Sequence, residues 1–442
     1  MSWIYLWVAG CYFQLYYQGK SMRASRKSGL VSVPAGELNR RFAAFHALQH
    51  RDFRLVWTGL AVSSVGTWMQ IVAQSLLVLD LTHSSAAALG AVSLVQALSF
   101  LLFAPLGGIV VDRSDRRRLL LSTQSLLMCL AGLLGALTAA GMIRFWMILL
   151  AAFGSSAILS FDQPARNTLV ASLVPRESLM NAVSLQSAVF NGASILGPAL
   201  AGLTLGRIGY AGNFFLNAAS YSAVLAALLL LQPLPVPADA GPRGGLLDSV
   251  GEGLQYVRRD AVLPSVVAAY GALLFFGPST ALVLPLFARQ VAHASSAQLG
   301  ILFSAVGGGT VAGALIVASL GDFPHKRRLV LVSIGFWITA LVVFGLSDAV
   351  SISIPALVVL GAAQNSAGAT TITLLQSRVP PEMRGRAMSL NTLLIMCLRP
   401  LGDFPVAAAI SLFGFRLTIL LCAAIVGLVL LRLVFYGAHP PE

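Results

Sequence analysis

"GGIVVDRSDRRRLL", residues 107–120, places six charged side chains between positions 112 and 118, directly after a stretch that has none. Residues 84–111 contain no Asp, Glu, Lys or Arg, and neither does the next block, 119–143. Each block is longer than the roughly 20 residues that cross a bilayer as a helix. The pattern predicts two membrane-spanning helices joined by a short, strongly charged loop.

The alternation of apolar blocks and short loops continues along the chain. Hydrophobic residues make up 57% of the sequence and charged residues 10%, against roughly 45–50% and about 25% in a soluble domain. The alternating segments of about ten residues that indicate a β-barrel are missing. We therefore expect an all-α integral membrane protein of twelve transmembrane helices in two six-helix bundles, with spans near 57–79, 84–111, 119–143, 145–161, 178–206, 208–231, 262–288, 297–320, 329–346, 351–376, 387–412 and 417–436.

Basic residues are divided unequally between the two sets of loops. Of the 29 Lys and Arg residues, 24 fall in the N-terminal tail, the even-numbered loops or the C-terminal end. The odd-numbered loops contain only Arg144, Arg207, Arg289 and Arg416. Because positive residues stay on the cytoplasmic side, both termini and all even-numbered loops are predicted to be cytoplasmic, in a multi-pass protein of the inner cell membrane. The net charge of +13 is then a topology signal, and no nucleic-acid partner is expected.

Residue types that hold metals or cofactors form no recognisable pattern. The four cysteines and six histidines are dispersed. A Gly-Lys-Ser sequence at 19–21 lacks the first glycine of a phosphate-binding loop, because Gln14 stands there. We predict no metal, no cofactor and no enzymatic activity. Without a nucleotide site, any work done by such a protein is expected to draw on a proton gradient or another ion gradient.

Two pairs of similar segments indicate an internal duplication. "LVPRESLMNAVSLQ" at 173–186 and "RVPPEMRGRAMSLN" at 378–391 share six residues at a constant offset. Asp112 with its following arginines has an echo in Asp322 and the basic residues 326–328. Two related six-helix halves are typical of secondary transporters, whose substrate site lies between the halves near the membrane midplane.

Composition divides the chain into five segments. Residues 232–245 are rich in Pro and Gly, which predicts a linker, and the following stretch to 260 reads as an amphipathic helix on the membrane surface. A start at Met22 is an alternative for the N-terminal extension. The expected segments are a cytoplasmic extension 1–50, a first bundle 51–231, a cytoplasmic linker 232–260, a second bundle 261–436 and a tail 437–442.

The charged loop resembles a signature of the major facilitator superfamily, Gly-x-x-x-Asp-Arg-x-Gly-Arg-Lys. Asp115 stands where that signature prefers Gly. "RDFRLVWTGLAVSSVGTWMQ" and "FDQPARNTLV" are similar to a subgroup, the drug and siderophore exporters of the enterobactin-exporter type. The resemblance covers residues 51–436. The signature residues in register are Gly108, Asp112, Arg113, Arg116 and Arg117.

The resemblance implies a cytoplasmic gate. In the family, the acid at the position of Asp112 caps the eleventh helix, and the arginine at the position of Arg116 pairs with an acid of the fourth helix. Asp162 is the acid available here. The alternative is that the arginines only hold the loop inside by their charge. The second copy of the signature has Phe323 and Pro324 in place of the Arg-x pair, so a full gate is not expected there.

"GASILGPALAG" resembles the fifth-helix motif that the superfamily's antiporters carry. Pro198 is expected to interrupt the helix hydrogen bonds, and the glycines allow another backbone to approach. A facing surface on helix eight is predicted at 307–309 and Gly313. Ordinary small-residue packing is the alternative. The motif residues are Gly192, Gly197, Pro198 and Gly202.

Charged and amide side chains inside the spans are candidates for coupling and substrate binding. Arg399 and Asp403 lie four residues apart in the eleventh span, where they can pair on one helix face, and charges at that depth usually serve function. A structural pair near the membrane surface is the alternative. Amide side chains form interhelical hydrogen bonds or line a substrate cavity; the candidates for the cavity are Gln70, Gln74, Asn191, Gln364, Asn365 and Asn391.

These observations favour a secondary active transporter that exports a small amphipathic molecule, such as a drug, a siderophore or a similar metabolite, by alternating access coupled to protons. The expected partners are the lipid bilayer and a small-molecule substrate, and a monomer is expected to function. A lysophospholipid flippase or an uptake permease of the same fold is the alternative. A transporter-like sensor and a membrane-embedded enzyme are further options.

Overall fold

The computed structural model describes residues 45–232, 246–321, 323–380 and 383–436, and this part of the chain is helical. The first half contains four long helices and a fifth, longer helical segment. A 3-10 turn, Arg176–Ser178, precedes that segment. The helices are α1 Arg51–Leu81, α2 Ala86–Arg113, α3 Arg116–Ala139, α4 Phe145–Ser172 and the segment Leu179–Leu229.

The segment Leu179–Leu229 contains two crossings. Its 51 residues would extend about 77 Å as one straight helix, against a hydrocarbon core of about 30 Å. Gly209 divides it, with φ +65° and ψ −168°, a backbone conformation that favours glycine. We name the part before Gly209 α5 and the part after it α6. Pro198 lies inside α5, and the break at Gly209 is two residues from position 207, where the sequence divides the fifth predicted span from the sixth.

The second half has six crossings and a linker helix. The linker helix α7 has apolar and polar residues on opposite faces, and Glu252 in it forms an ion pair with Arg386. The seventh crossing is interrupted between α8 and α9, and the eleventh contains a π turn, Leu394–Leu398. The helices are α7 Leu246–Arg259, α8 Leu263–Phe276, α9 Thr280–Gln290, α10 Ser296–Leu320, α11 Lys326–Leu346, α12 Val350–Arg378, α13 Arg384–Leu393, α14 Arg399–Phe413 and α15 Phe415–Tyr436.

In the described residues, eleven segments are long and apolar enough to cross a membrane. Because Gly209 divides one of them, they account for the twelve predicted spans. Large apolar side chains are exposed on the outside of the bundle, as Leu102 and Leu150 are, while polar ones such as Gln124 and Asn213 are buried. This distribution suits a protein whose surface contacts lipid. The all-α membrane fold predicted from the sequence is confirmed.

The bundle has two ends. We call the end with the turns at 82–85, 140–144, 291–295 and 347–349 the odd-loop end, because the odd-numbered loops lie there. The opposite end, with 114–115, 173–178 and 323–325, is the even-loop end. Helix α7 lies at the even-loop end, where Gly253 lets α13 approach: a Cβ built on Gly253 would lie 2.7 Å from the carbonyl oxygen of Arg386.

The fourth span is longer than the sequence indicates. We predict its end at residue 161, before Asp162, whereas α4 continues to Ser172 and contains Asp162 and Arg166. The two side chains form an ion pair across one helical turn. Their charges therefore compensate one another inside the helix, and a count of charged residues places the boundary too early.

Candidate functional site

The two halves meet along a seam between α5 and α10. A Cβ built on Gly202 would lie 2.8 Å from the carbonyl oxygen of Ser296, and one built on Gly300 would lie 2.5 Å from that of Pro198. Mid-span, a Cβ on Gly307 would lie 2.7 Å from the carbonyl oxygen of Ser194. These backbones touch only because glycine has no side chain.

Other glycines singled out from the sequence have different surroundings. No atom lies within 4 Å of a Cβ built on Gly192 or on Gly308, so neither makes the predicted close approach. Gly309 and Gly313 contact Val358 and Ala362 of α12, inside the second half. Gly197 packs against Trp68 of α1, inside the first half. Of the predicted glycine surface on helix eight, only Gly307 faces α5.

An ion pair joins the two halves at the odd-loop end. Asp80, at the end of α1, pairs with Arg289, at the end of α9, and the Tyr210 hydroxyl donates a hydrogen bond to the same carboxylate. The Gln290 side-chain amide donates to the carbonyl oxygen of Ser84 at 3.1 Å. We call Asp80, Arg289, Gln290 and Ser84 the odd-loop latch. The sequence gives no signal that this acid and this arginine meet.

The polar links between the halves that involve described residues lie in one part of the molecule. Besides the two latch contacts, the described residues contribute a hydrogen bond from the Ser304 hydroxyl to the carbonyl oxygen of Ile195 at 2.7 Å, near mid-span, and a side-chain hydrogen bond between Ser93 of α2 and Asp403 of α14. Helix α14 packs along α2, whereas α13, nearer the even-loop end, packs on α7 and α12. The described polar contacts between the halves therefore lie at the odd-loop end and toward mid-span, while α2 also contacts the linker helix α7 at the even-loop end.

The charged loop at 112–118 fixes neighbouring helix ends. The Asp115 carboxylate accepts hydrogen bonds from the N–H groups of Arg117 and Arg118, at 2.8 and 3.2 Å, and so caps α3. Arg117 donates to the carbonyl oxygens of Leu228 and Leu229, at 2.7 and 2.8 Å. Asp115, the departure from the family signature, is thus a helix cap, and Arg117 ties α3 to the end of α6.

The gate predicted at this loop differs in its pairing. The side chain of Asp112 lies outside the described residues. Arg113 is exposed, and no atom lies near a Cβ built on Gly108. Arg116 forms no ion pair with Asp162, whose partner is Arg166. The Arg116–Asp162 pairing is wrong because Arg166, one turn along the same helix, occupies the carboxylate.

Asp162 is the centre of a buried polar cluster in the first half. Its side chain has no exposed surface, and the Thr123 hydroxyl and the Gln124 amide donate to it at 2.8 and 2.7 Å. The Arg166 side chain is 24% exposed and lines a pocket of about 60 Å³ beside Trp57 and α5. Arg166 is not among the site residues predicted from the sequence, although its spacing from Asp162, four residues in one helix, is a usable signal.

A second buried carboxylate lies in the eleventh crossing. Asp403 is 2% exposed and accepts a hydrogen bond from the Ser279 N–H at 2.8 Å. Ser279 is the N-cap of α9, at the interruption of the seventh crossing. Arg399 donates instead to the Gln364 side chain at 2.9 Å. The described ion pairs include none between Arg399 and Asp403, so the expected pair on one helix face is replaced by two separate interactions.

The remaining amide side chains differ in the hydrogen bonds that they form. Gln70 accepts a hydrogen bond from Asn217 at 2.6 Å, across α1 and α6. Asn391 is buried, and its Oδ1 has no hydrogen-bond partner in the described part of the structure. Three half-buried side chains form no hydrogen bond to a described residue and are free to contact a solute: Gln74, Asn191 and Asn365.

Comparison with known proteins identifies the family. The family model described as "Transmembrane secretion effector" matches residues 42–439. The enterobactin exporter EntS of Citrobacter koseri is 28% identical over 386 residues, covering 86% of this chain and 89% of the relative. EntS of Escherichia coli K12 is 28% identical over 411 residues, covering 89% and 95%.

Solved transporters share the fold. A bacterial homologue of the human lysosomal transporter Spinster, in an inward-facing and occupied conformation, has a TM-score of 0.69 at 14% identity and covers 87% of this chain and 96% of its own. The nucleoside transporter NupG has a TM-score of 0.70 at 14% identity, with 88% and 100% covered. The chain belongs to the transmembrane secretion effector family and is a multi-pass membrane transporter of the major facilitator superfamily, of the enterobactin-exporter type.

Proposed function

We propose that this transporter exports a small amphipathic molecule by alternating access, with uptake of a proton as the driving reaction. The observation that carries the proposal is the uneven distribution of the described polar contacts between the halves, which lie at the odd-loop end and toward mid-span and close the odd-loop end. With the even-loop end in the cytoplasm, as the distribution of Lys and Arg favours, this is the state that loads cargo from inside.

The cargo class follows from the lining. Few charged side chains lie within the spans, and the free amides Gln74, Asn191 and Asn365 offer hydrogen bonds without a net charge. A largely apolar cavity with a few polar groups suits an amphipathic solute. The relatives are named as enterobactin exporters, which supports a siderophore or a comparable metabolite as cargo.

The odd-loop latch is weak enough to open in each cycle. The side chains of Asp80 and Arg289 are 39% and 43% exposed. Exposed ion pairs contribute about 0.2–1 kcal/mol. One proton moving down 100 mV supplies about 2.3 kcal/mol, which exceeds that contribution. A proton per cycle is therefore sufficient to reverse the latch.

Asp403 is the proposed coupling site because it is linked to the latch. Its carboxylate accepts the Ser279 N–H at the start of α9, and α9 ends at Arg289 and Gln290. Protonation would remove the negative charge and weaken the hydrogen bond to Ser279, since bonds to a charged acceptor are about twice as strong as neutral ones. A change of protonation at Asp403 therefore alters the contact that holds the interruption between α8 and α9 and, through α9, the position of Arg289 relative to Asp80.

The test uses purified protein in proteoliposomes with an imposed pH gradient. Enterobactin and an amphipathic fluorescent dye serve as probe substrates, and substrate-driven proton movement is recorded with a pH-sensitive dye. We expect the unmodified protein to move protons in the direction opposite to the substrate. Asp403→Asn should reduce this proton flux at least about tenfold, which corresponds to about 1.4 kcal/mol. Downhill substrate movement should persist.

The matched control is Asp348→Asn, an exposed acid in an odd-numbered loop that pairs with Arg416. It should keep the proton flux of the unmodified protein. Undiminished uphill transport by Asp403→Asn would contradict Asp403 as the coupling site. No proton movement by the unmodified protein, with any probe that it transports, would contradict proton coupling itself.

A further inference from the structure

A second cavity lies away from the interface between the halves, at the even-loop end of the second half. It measures about 570 Å³, within the roughly 300–1,000 Å³ of small-molecule sites. The ends of four helices surround it: the starts of α8 and α11 and the ends of α12 and α15. Nothing in the transport cycle described above uses this cavity.

Basic side chains line one part of the cavity. They are Arg327 and Arg328 at the start of α11, His325 before it, and Arg378 at the end of α12. Arg378 interacts with Asp260 at 3.5 Å. Three arginines against one aspartate leave an excess of positive charge, and neither Arg328 nor His325 has a described hydrogen bond or ion pair.

Asp260 also caps a helix, and its single negative charge does not neutralise all the positive charge of the cavity wall. Burial raises the pKa of its carboxyl, but hydrogen bonds from the N–H groups of Leu263 and Val262 and the charge of Arg378 outweigh it, so the pKa lies below its usual value. Asp260 is therefore ionised near neutral pH. It accepts those N–H groups at 2.9 and 2.8 Å and caps α8.

Arg327 is held rigidly at the cavity wall. Its Nε donates to the Ser265 hydroxyl at 3.1 Å and its Nη2 to the carbonyl oxygen of Leu433 at 3.2 Å. These bonds tie α11 to α8 and α15 and use two of the five N–H groups of the guanidinium. A guanidinium fixed in this way is pre-organised to bind a phosphate with its remaining N–H groups.

The start of α11 adds to the attraction for an anion. His325 precedes α11 and forms no side-chain hydrogen bond to its first turn. The N–H groups of a helix N-terminus and its dipole favour an anion. Together with the arginines and the volume of the cavity, they make its basic part a site for a phosphate group.

The other part of the cavity is apolar and opens to the outside of the bundle. Leu374 and Leu430 line it, and the walls include Val332 and Val434, which are 48% and 45% exposed. A soluble anion gains nothing from this apolar surface. A molecule with a phosphate headgroup and acyl chains contacts both parts at once.

We infer that this cavity binds an anionic phospholipid of the leaflet on the even-loop side, its phosphate on Arg327 and Arg328 and its acyl chains along Val332 and Val434. Basic pockets between transmembrane helices are known to hold such headgroups. The inference is independent of the direction of transport and of the coupling site.

The test measures lipid binding to the purified full-length chain. Native mass spectrometry compares adducts of palmitoyl-oleoyl phosphatidylglycerol with those of phosphatidylcholine carrying the same chains. We expect selective binding of phosphatidylglycerol, weakened about fivefold in Arg328→Gln, since each basic residue near an anionic lipid contributes about that factor. Arg327→Gln should lose more, and Arg328→Gln, whose side chain is exposed and has no described partner, tests the site without disturbing the fold.

Arg176→Gln is the matched control, an exposed arginine at the same end of the first half. It should bind phosphatidylglycerol as the unmodified chain does. Equal losses in Arg176→Gln and Arg328→Gln, or no loss in Arg328→Gln, would overturn the site. If inorganic phosphate raises the thermal midpoint as much as the lipid does, and Arg328→Gln abolishes both effects, the cavity takes a soluble anion and the lipid assignment is wrong.

Discussion

Asp162 is a fully buried acid in the middle of an apolar helix, and its charge is compensated by its immediate neighbours. Arg166 pairs with one carboxylate oxygen, while Thr123 and Gln124 of α3 donate to the other. Removing one partner of a buried pair leaves an uncompensated charge, whereas removing both does not. The cluster therefore ties α3 to α4 and positions Arg166 at the pocket beside α5.

Arg166→Gln should lower the stability of the protein by about 3–5 kcal/mol, the usual effect of breaking a buried ion pair. The double variant Asp162→Asn/Arg166→Gln should recover part of this loss, because no buried charge remains. Thermal unfolding in detergent, followed by tryptophan fluorescence, measures both. Arg118→Gln, at a side chain 88% exposed, is the control and should change little. A double variant less stable than Arg166→Gln would contradict the pairing.

The sequence identifies which residues are chemically important but not which of them meet. Asp162, Asp403, Arg399 and Gln364 are all recognisable as polar groups inside apolar spans. Their partners depend on how each helix is rotated, and helices that are apolar on all sides carry little signal of rotation. The resemblance therefore implies a pair between Arg116 and Asp162, whereas in the structure Arg166 forms the ion pair with Asp162.

At the scale of helices, hydropathy predicts that a transmembrane span exists more accurately than it predicts where the span begins and ends. Spans bounded by charged loops, such as 84–111 and 297–320, agree closely with α2 and α10. The boundary fails where charge is compensated inside a helix, as in α4, whereas the division at Gly209 lies two residues from its predicted position. The interruption between α8 and α9 has no hydropathy signal, because both parts are apolar.

The seam between α5 and α10 depends on the absence of side chains at its glycines. Gly300→Leu would place a side chain against the Pro198 carbonyl, where a Cβ alone would lie 2.5 Å away. Overpacking of this kind costs about 1–3 kcal/mol. We expect a lower thermal midpoint in detergent for Gly300→Leu. Gly308→Leu, two turns along the same helix with no atom within 4 Å of its Cβ, should be tolerated. Equal effects of the two would contradict the seam.

At the scale of the whole molecule, the two halves are asymmetrically joined. The odd-loop latch connects α1 with α9, and Asp403 connects α14 with the start of the same α9. In the proposed mechanism, α9 connects a proton at Asp403 with the odd-loop latch, and Asp403 also contacts Ser93 of the first half directly. The sequence predicts two six-helix halves but not which end is closed, since that depends on contacts between side chains far apart in the chain.

The most direct test of this account is a pair of spin-label distances in nanodiscs, with the native cysteines replaced. One pair, Met142→Cys and Leu412→Cys, spans the halves at the odd-loop end, and the other, Arg118→Cys and Ser377→Cys, spans them at the even-loop end. All four positions are exposed. Asp80→Asn, which removes the latch, should lengthen the first distance and shorten the second, while Asp348→Asn changes neither. Alternating access through this latch would be contradicted if both distances lengthened or both shortened, or if neither distance changed in Asp80→Asn.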